Sequence, residues 1–129
     1  MDEDDDAGTV HVAAFDGPGV ADPVAAVGTA YAEAPPAAHR GEIPEAAYAD
    51  GAAWRLRGMA SSEAARGRGF GSAVLRDVFA AAAEAGAAYL WCNARIGAVA
   101  FYERHGMQTV GPEFDMPAIG PHYVMWRAL

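Results

Sequence analysis

The sequence contains no lysine: its nine basic Lys and Arg residues are all arginines, and with 17 Asp and Glu the formal net charge is −8. Nucleic acid and anionic membranes bind to basic surfaces, so neither is expected as a partner. The single cysteine, Cys92, cannot form an internal disulfide, which fits a reducing cytoplasm. No run of about 20 apolar residues is present, so no transmembrane helix is predicted.

The 129 residues have the size of one domain. Residues 1–7 are an acidic run that predicts a disordered, solvated tail, and residues 8–129 form the predicted domain. The acidic start is the opposite of a basic signal peptide, and together with the single cysteine it predicts a cytoplasmic location. The acidic, lysine-free composition indicates either a salt-adapted protein or a GC-rich genome.

Hydrophobic patterning predicts an α/β domain with a mixed sheet, in the order β-β-β-α-β-α-β-β. Strands are predicted over 9–15, 23–34, 54–60, 88–93, 107–110 and 122–127. Helices are predicted over 70–84, where apolar residues recur on one face, and over 97–105. The connection 39–51 shows no clear period, and 111–121 is predicted as a loop.

A glycine-rich loop leads into the 70–84 helix, with the sequence Arg66-Gly67-Arg68-Gly69-Phe70-Gly71-Ser72. Its glycines allow a tight turn and the close approach of a ligand, and the first N–H groups of the helix attract an anion. The loop is therefore predicted to bind phosphate or pyrophosphate. A P-loop is excluded because no lysine follows Gly71. A dinucleotide fingerprint is excluded because the polar stretch 61–65 precedes the glycines and the window at 89–91 has no acid.

The spacing Arg66-x-x-Gly69-x-Gly71 resembles the Arg/Gln-x-x-Gly-x-Gly/Ala pattern of the GNAT superfamily of N-acetyltransferases, which bind acetyl-coenzyme A (acetyl-CoA). Residues 54–60 resemble the strand before that loop, and 98–107 resemble the second signature of the family, Ala-x-x-x-Tyr on a helix that ends in glycine. The resemblance runs from about Gly8 to the C-terminus. It implies an α+β type of domain with a mixed, mostly antiparallel sheet flanked by helices, and acetyl transfer to a primary amine.

The resemblance also implies roles for individual residues. The loop from Arg66 to Ser72 would hold the pyrophosphate of acetyl-CoA. The main chain of Met59, Ala60 and Ser61 would pair with the pantetheine arm, and in the family an N–H of this strand faces the thioester oxygen. Tyr102 would be the general acid that protonates the leaving thiolate, or else a core aromatic. Asn93 would hydrogen-bond the pantetheine or simply end its strand; many relatives have asparagine two positions later, where this chain has Arg95.

The general base that takes the proton from the amine is left open by the sequence. Some relatives carry a glutamate in the strand before the asparagine, but 89–92 contain no carboxylate. The candidates are Glu33, Glu42, Glu45, His122 and an ordered water chain. No His, Cys and Asp cluster has metal-ligand spacing, so no metal is predicted.

Two arginines and the N-terminal region bear on the acceptor. Arg55 and Arg57 alternate along one strand and share a face; they either line the acceptor cleft and favour an acidic acceptor, or they face solvent. The family's usual first strand and first two helices, which commonly wall the acceptor site, have no counterpart among the eight residues before the first predicted strand. We therefore expect a late start of the chain, a wall completed by a partner subunit as in a homodimer, or an open site. The alternative functions are a non-catalytic acyl-CoA-binding module and a ligand-free structural domain.

Overall fold

The structure, a computed structural model, describes residues 9–15, 24–61 and 70–129. The helices and strands follow one another as β1 (Thr9–Phe15), β2 (Val24–Ala32), β3 (Ala53–Ser61), α1 (Phe70–Glu84), β4 (Tyr89–Arg95), α2 (Val99–Arg104), β5 (Gln108–Met116) and β6 (Gly120–Ala128). This order confirms the β-β-β-α-β-α-β-β prediction. The predicted tail 1–7 and the loop residues Arg66, Gly67, Arg68 and Gly69 lie outside the described residues.

The six strands form one sheet in the order β1-β2-β3-β4-β6-β5. Only β3 and β4 are parallel, because the chain returns through α1 between them, and the other neighbours are antiparallel. The mixed, mostly antiparallel sheet is therefore confirmed. The last strand, β6, lies between β4 and β5, so that the C-terminal hairpin extends the sheet beyond β4.

Each face of the sheet has its own core. On one face lies α1, whose Val74, Leu75, Val78 and Ala82 recur at helical spacing and pack with buried residues of β3 and β4. On the other face, Ile43 and Ala47 from the β2–β3 connection pack with Trp91 and Val124. The 39–51 stretch, which shows no period, thus contains a short 3-10 helix, Glu45–Tyr48, that covers the sheet. None of the described helices has the length and apolar character needed to cross a membrane.

The predicted 111–121 loop is mostly strand. Here β5 continues to Met116, and only 117–119 turn the chain into β6. The ladder jumps from Val110 opposite Val124 to Phe114 opposite His122, so β5 carries two extra residues in this interval. These extra residues break the alternation of apolar and polar side chains by which a strand is identified in sequence.

Gly111, inside this irregularity, should be intolerant of substitution. It has φ +72°, and an added Cβ would overlap the imidazole ring of His39. For Gly111→Ala we expect the free energy of unfolding to fall by about 2–3 kcal/mol, since left-handed backbone costs about 1–2 kcal/mol and displacing the half-buried ring of His39 adds about 1 kcal/mol. Urea denaturation measures the loss.

Gly51→Ala is the matched control, because Gly51 has φ +74° and nothing within 4 Å of an added Cβ. It should lose only the backbone part, about 1–2 kcal/mol. Equal losses for the two variants would show that the contact with His39 does not constrain this position.

Candidate functional site

The parallel strands β3 and β4 separate after a short paired segment. Their register ends at Arg55 opposite Trp91, although β3 continues to Ser61 and β4 to Arg95. On their outer sides the two strands remain paired, β3 with β2 and β4 with β6. Each strand therefore presents one unpaired backbone edge to the gap between them. Such edges are suited to pair with the amide groups of an extended ligand.

A bulge in β3 lies beside this gap. Thr29 pairs with Arg57 and Val27 with Ala60, so three steps along β3 match two along β2. In a bulge the extra residue is left out of the ladder, which places the backbone of 58–59 outside the β2–β3 pairing. The family resemblance implies that an N–H of this strand faces a thioester oxygen.

A cavity of about 780 Å³ occupies the gap. It is lined by consecutive residues of both strands, 55–57 on β3 and 92–95 on β4. Successive residues of a strand point to opposite faces, so the cavity opens on both faces of the sheet. One opening lies on the side of α1 and α2, and the other on the opposite face.

Tyr102 lines the cavity on the helix side. Its side chain is 7 % exposed, and its ring meets that of Phe101 edge-on at a centroid distance of 5.3 Å. Burial raises the pKa of the phenol, and the neighbouring Cys92 raises it further. The hydroxyl has no hydrogen-bond partner among the described residues. Tyr102 therefore carries its proton at physiological pH and is able to donate it into the cavity.

Cys92 also lines the cavity, but its chemistry is suppressed. The residue is 2 % exposed, and burial raises the pKa of its thiol to about 12, although Arg55 opposes the shift. A thiol is nucleophilic only as the thiolate. At neutral pH Cys92 is therefore protonated and a poor nucleophile.

His122 lines the cavity and belongs to the opposite face, where it stands opposite Arg95 in the sheet. It is 4 % exposed, and its ring lies 5.9 Å from that of Phe114. Nδ1 lies 2.8 Å from the carbonyl oxygen of Gly120. Because a carbonyl only accepts hydrogen bonds, Nδ1 is the donor, and the neutral ring keeps a lone pair on Nε2. No bond to Nε2 is present in the described part of the chain.

Three arginines, Arg55, Arg57 and Arg95, line the same cavity. Arg55 is held in place by Glu33, whose Oε2 is 3.1 Å from its Nη1, and by the Trp91 ring, 5.1 Å from its Cζ. No Asp or Glu is present among the described lining residues. Arg55 and Arg57 therefore both line the cavity, and Arg57 is also exposed to solvent.

The structure distinguishes between the residues that are candidates for the general base. Of the candidate residues, His122 lines the cavity, whereas Glu33, Glu42 and Glu45 do not. Glu33 instead forms an ion pair with Arg55, and Glu45 forms one with Arg40. The sequence alone does not favour His122 over the other candidate bases. Its neighbour Phe114 lies in the second half of β5, which the sequence pattern predicts as a loop.

The structure brings together part of the predicted site. Of the predicted residues, the cavity is lined by Met59, Gly71, Asn93 and Tyr102. Ala60 and Ser61 lie in β3 with their backbone paired to β2, and Phe70 begins α1. Ser72 does not line the cavity; its Oγ is 3.0 Å from Nε2 of His105, which links the beginning of α1 to the end of α2.

The residues that line the cavity and that the sequence does not predict as site residues include Arg95, Phe101, Met116 and Ile119. Phe101 is adjacent to Tyr102 in the second signature, and this adjacency is the signal that sequence offers. Met116 and Ile119 lie at the tip of the β5–β6 hairpin, so their placement depends on recognising that hairpin. Within the described ranges, no three or more His, Cys, Asp or Glu residues form a group that could hold a metal ion.

A mixed sheet that opens between two parallel strands, with a buried tyrosine beside the opening, is the arrangement that the resemblance to the GNAT superfamily implies. The sequence profile of the Acetyltransferase (GNAT) family matches residues 2–107, and the chain belongs to this family. It is 39 % identical over 80 residues to YitI of Bacillus subtilis (strain 168), described as an uncharacterized N-acetyltransferase; the match covers 62 % of this chain and 54 % of YitI. The chain thus spans about half the length of this curated relative.

Solved structures share the fold. Escherichia coli ElaA matches with a TM-score of 0.70 at 18 % identity, covering 98 % of this chain and 74 % of ElaA. An aminoglycoside 6'-N-acetyltransferase complexed with coenzyme A matches with a TM-score of 0.65 at 18 % identity, covering 95 % of this chain and 73 % of that protein. At these identities the likeness concerns the fold.

Proposed function

We propose that this protein transfers the acetyl group of acetyl-CoA directly to a primary amine. The observation that carries the proposal is the cavity between β3 and β4, with Tyr102 on the helix side and His122 on the opposite side. A proton donor and a proton acceptor thus border one space that opens on both faces of the sheet. This is the arrangement that a two-substrate transfer needs.

The donor side of the cavity fits the pantetheine arm of acetyl-CoA. The unpaired edges of β3 and β4 offer N–H and C=O groups to the two amides of that arm. Gly71, in the first turn of α1, also lines the cavity, and the amides of a helix beginning attract phosphate. Arg66 and Arg68 are proposed to add positive charge beside them. The fold shared with a coenzyme A complex supports this placement.

Each proton in the transfer has a proposed carrier. As the amine nitrogen bonds to the thioester carbon and the carbon–sulfur bond breaks, Nε2 of His122 accepts the proton of the amine. Tyr102 donates its proton to the departing thiolate. Backbone N–H groups at 58–59 stabilise the charge that develops on the carbonyl oxygen. The protonated Cys92 favours direct transfer over an acyl-cysteine intermediate, because that route requires a thiolate.

Release of coenzyme A from acetyl-CoA in the presence of a panel of primary amines tests this function. We expect release that depends on the amine and is matched by formation of the N-acetyl product. The alternative function, a non-catalytic acyl-CoA-binding module, gives acetyl-CoA binding without product from any amine. We propose a cytoplasmic location, with the amine and acetyl-CoA as partners.

A further inference from the structure

We propose that the acceptor amine carries an anionic group, and that Arg55, Arg57 and Arg95 hold this group on the face of the sheet opposite the helices. The proposal rests on the proposed acetyl transfer and specifies its substrate class: a small primary amine with a carboxylate or phosphate. The proposed anion site lies on the face of the sheet opposite α1 and α2, whereas acetyl-CoA is proposed to bind on the side of these helices.

The sheet register places the three arginines on one face. Arg55 stands opposite Trp91 in the parallel pair, and Arg57 is two residues further along β3. Arg95 is four residues beyond Trp91 on β4, so it shares the same face. His122 stands opposite Arg95 and belongs to this face as well. The cations and the proton acceptor therefore share one opening of the cavity, away from Tyr102.

The charge of this opening contrasts with that of the chain. The net charge is −8, yet among the described residues three of the seven arginines line the cavity and no acid does so. Guanidinium groups remain charged at all physiological pH values and match carboxylate and phosphate in bidentate geometry. A cationic patch on an acidic protein selects anions.

Arg55 is preorganised, because Glu33 and Trp91 fix its guanidinium before any ligand arrives. Glu33 is itself partly exposed, with 41 % of its side chain accessible, so it screens the cation only in part. Met116 and Ile119 add an apolar wall to the cavity. The combination suits an amine with one compact anion and a short apolar side chain.

Paired acceptors test the proposal, each pair differing in the anion alone. L-leucine and L-leucinamide test a carboxylate, while O-phosphoethanolamine and ethanolamine test a phosphate. We expect kcat/KM for the anionic member of one pair to exceed that of its neutral partner roughly ten- to a hundredfold, the usual effect of a charged hydrogen bond. Leucinamide has the more easily deprotonated amine, so intrinsic reactivity works against this result. Equal use of both members of each pair would overturn the proposal.

Variants of the cavity arginines test whether these residues cause the preference for anionic acceptors. Arg95→Gln and Arg57→Gln should each reduce the preference for the anionic member roughly tenfold, with the KM for acetyl-CoA unchanged. Arg76→Gln is the matched control, since Arg76 is exposed on α1 and does not line the cavity; its preference should equal that of the wild type. If Arg95→Gln and Arg57→Gln raise the KM for acetyl-CoA and leave the preference intact, the arginines serve the donor and the proposal fails.

Binding of the acetylated product separates this proposal from the proposed function. Calorimetry with coenzyme A present compares N-acetyl-L-leucine with its amide, and N-acetyl-phosphoethanolamine with N-acetylethanolamine. Anion-dependent binding without turnover would support the anion site and contradict the transferase. Turnover without anion preference would contradict the anion site alone. Neither binding nor turnover would contradict both.

Discussion

Replacing His122 by glutamine should lower kcat for acetyl transfer roughly 10²- to 10⁴-fold, the usual contribution of a general base. Glutamine has a similar size and a donor that can reach the carbonyl of Gly120, but it has no lone pair that accepts a proton at neutral pH. The Kd for acetyl-CoA should be unchanged, because His122 lies on the face opposite the helices. Steady-state kinetics and calorimetric titration of the same preparation measure both quantities.

His11→Gln is the control for this variant. His11 is exposed on β1, where its Nδ1 is 3.2 Å from Oγ1 of Thr29, and it does not line the cavity. Its kcat should match that of the wild type. A His122→Gln enzyme that keeps wild-type kcat would show that another group, such as an ordered water chain, takes the proton.

Tyr102→Phe should lower kcat roughly 10²-fold or more, because the departing thiolate loses its proton donor. The ring and its packing remain, so binding of acetyl-CoA should persist. The pH dependence follows from the raised pKa. Burial disfavours the phenolate, so Tyr102 loses its proton only above the ordinary tyrosine value of about 10. Wild-type kcat should therefore not decline between neutral pH and about pH 10 through loss of the acid.

Tyr48→Phe is the matched control for the loss of a tyrosine hydroxyl. Its hydroxyl donates to the carbonyl of Pro36 at 2.9 Å, outside the cavity. Removing it should cost about 1 kcal/mol of unfolding free energy and leave kcat unchanged. If Tyr102→Phe turns over as fast as Tyr48→Phe, the acid role of Tyr102 is wrong.

The first helix could be predicted from sequence to its last residue, 70–84, because its ends carry strong local signals. The glycine loop precedes it, its apolar residues recur at helical spacing, and Gly86 follows with φ +101°. The family pattern likewise indicated Tyr102, and the structure places it at the cavity. These features depend on residues that are near one another along the chain.

The acceptor side could not be predicted to the same extent, because it depends on pairing between distant residues. The extra residues after Val110 interrupt the strand pattern, so the second half of β5 is not predicted from sequence. The hairpin that carries Met116 and Ile119 is therefore not predicted either. In the sequence, Arg95 is notable only as the position where many relatives have asparagine. Its place beside His122 follows from the β4–β6 register, which no local pattern records.

Titration of the wild-type protein with acetyl-CoA by calorimetry tests the central claim most directly. Gly71→Asp is its control, because Gly71 lines the cavity in the first turn of α1 and a carboxylate there would repel the pyrophosphate. In ordinary buffer or in molar KCl, we expect the wild type to bind acetyl-CoA with a Kd on the order of micromolar to millimolar, the usual range of enzyme–substrate affinities, and Gly71→Asp to lose this binding. A folded wild-type protein that binds no acetyl-CoA in either solution would contradict this claim.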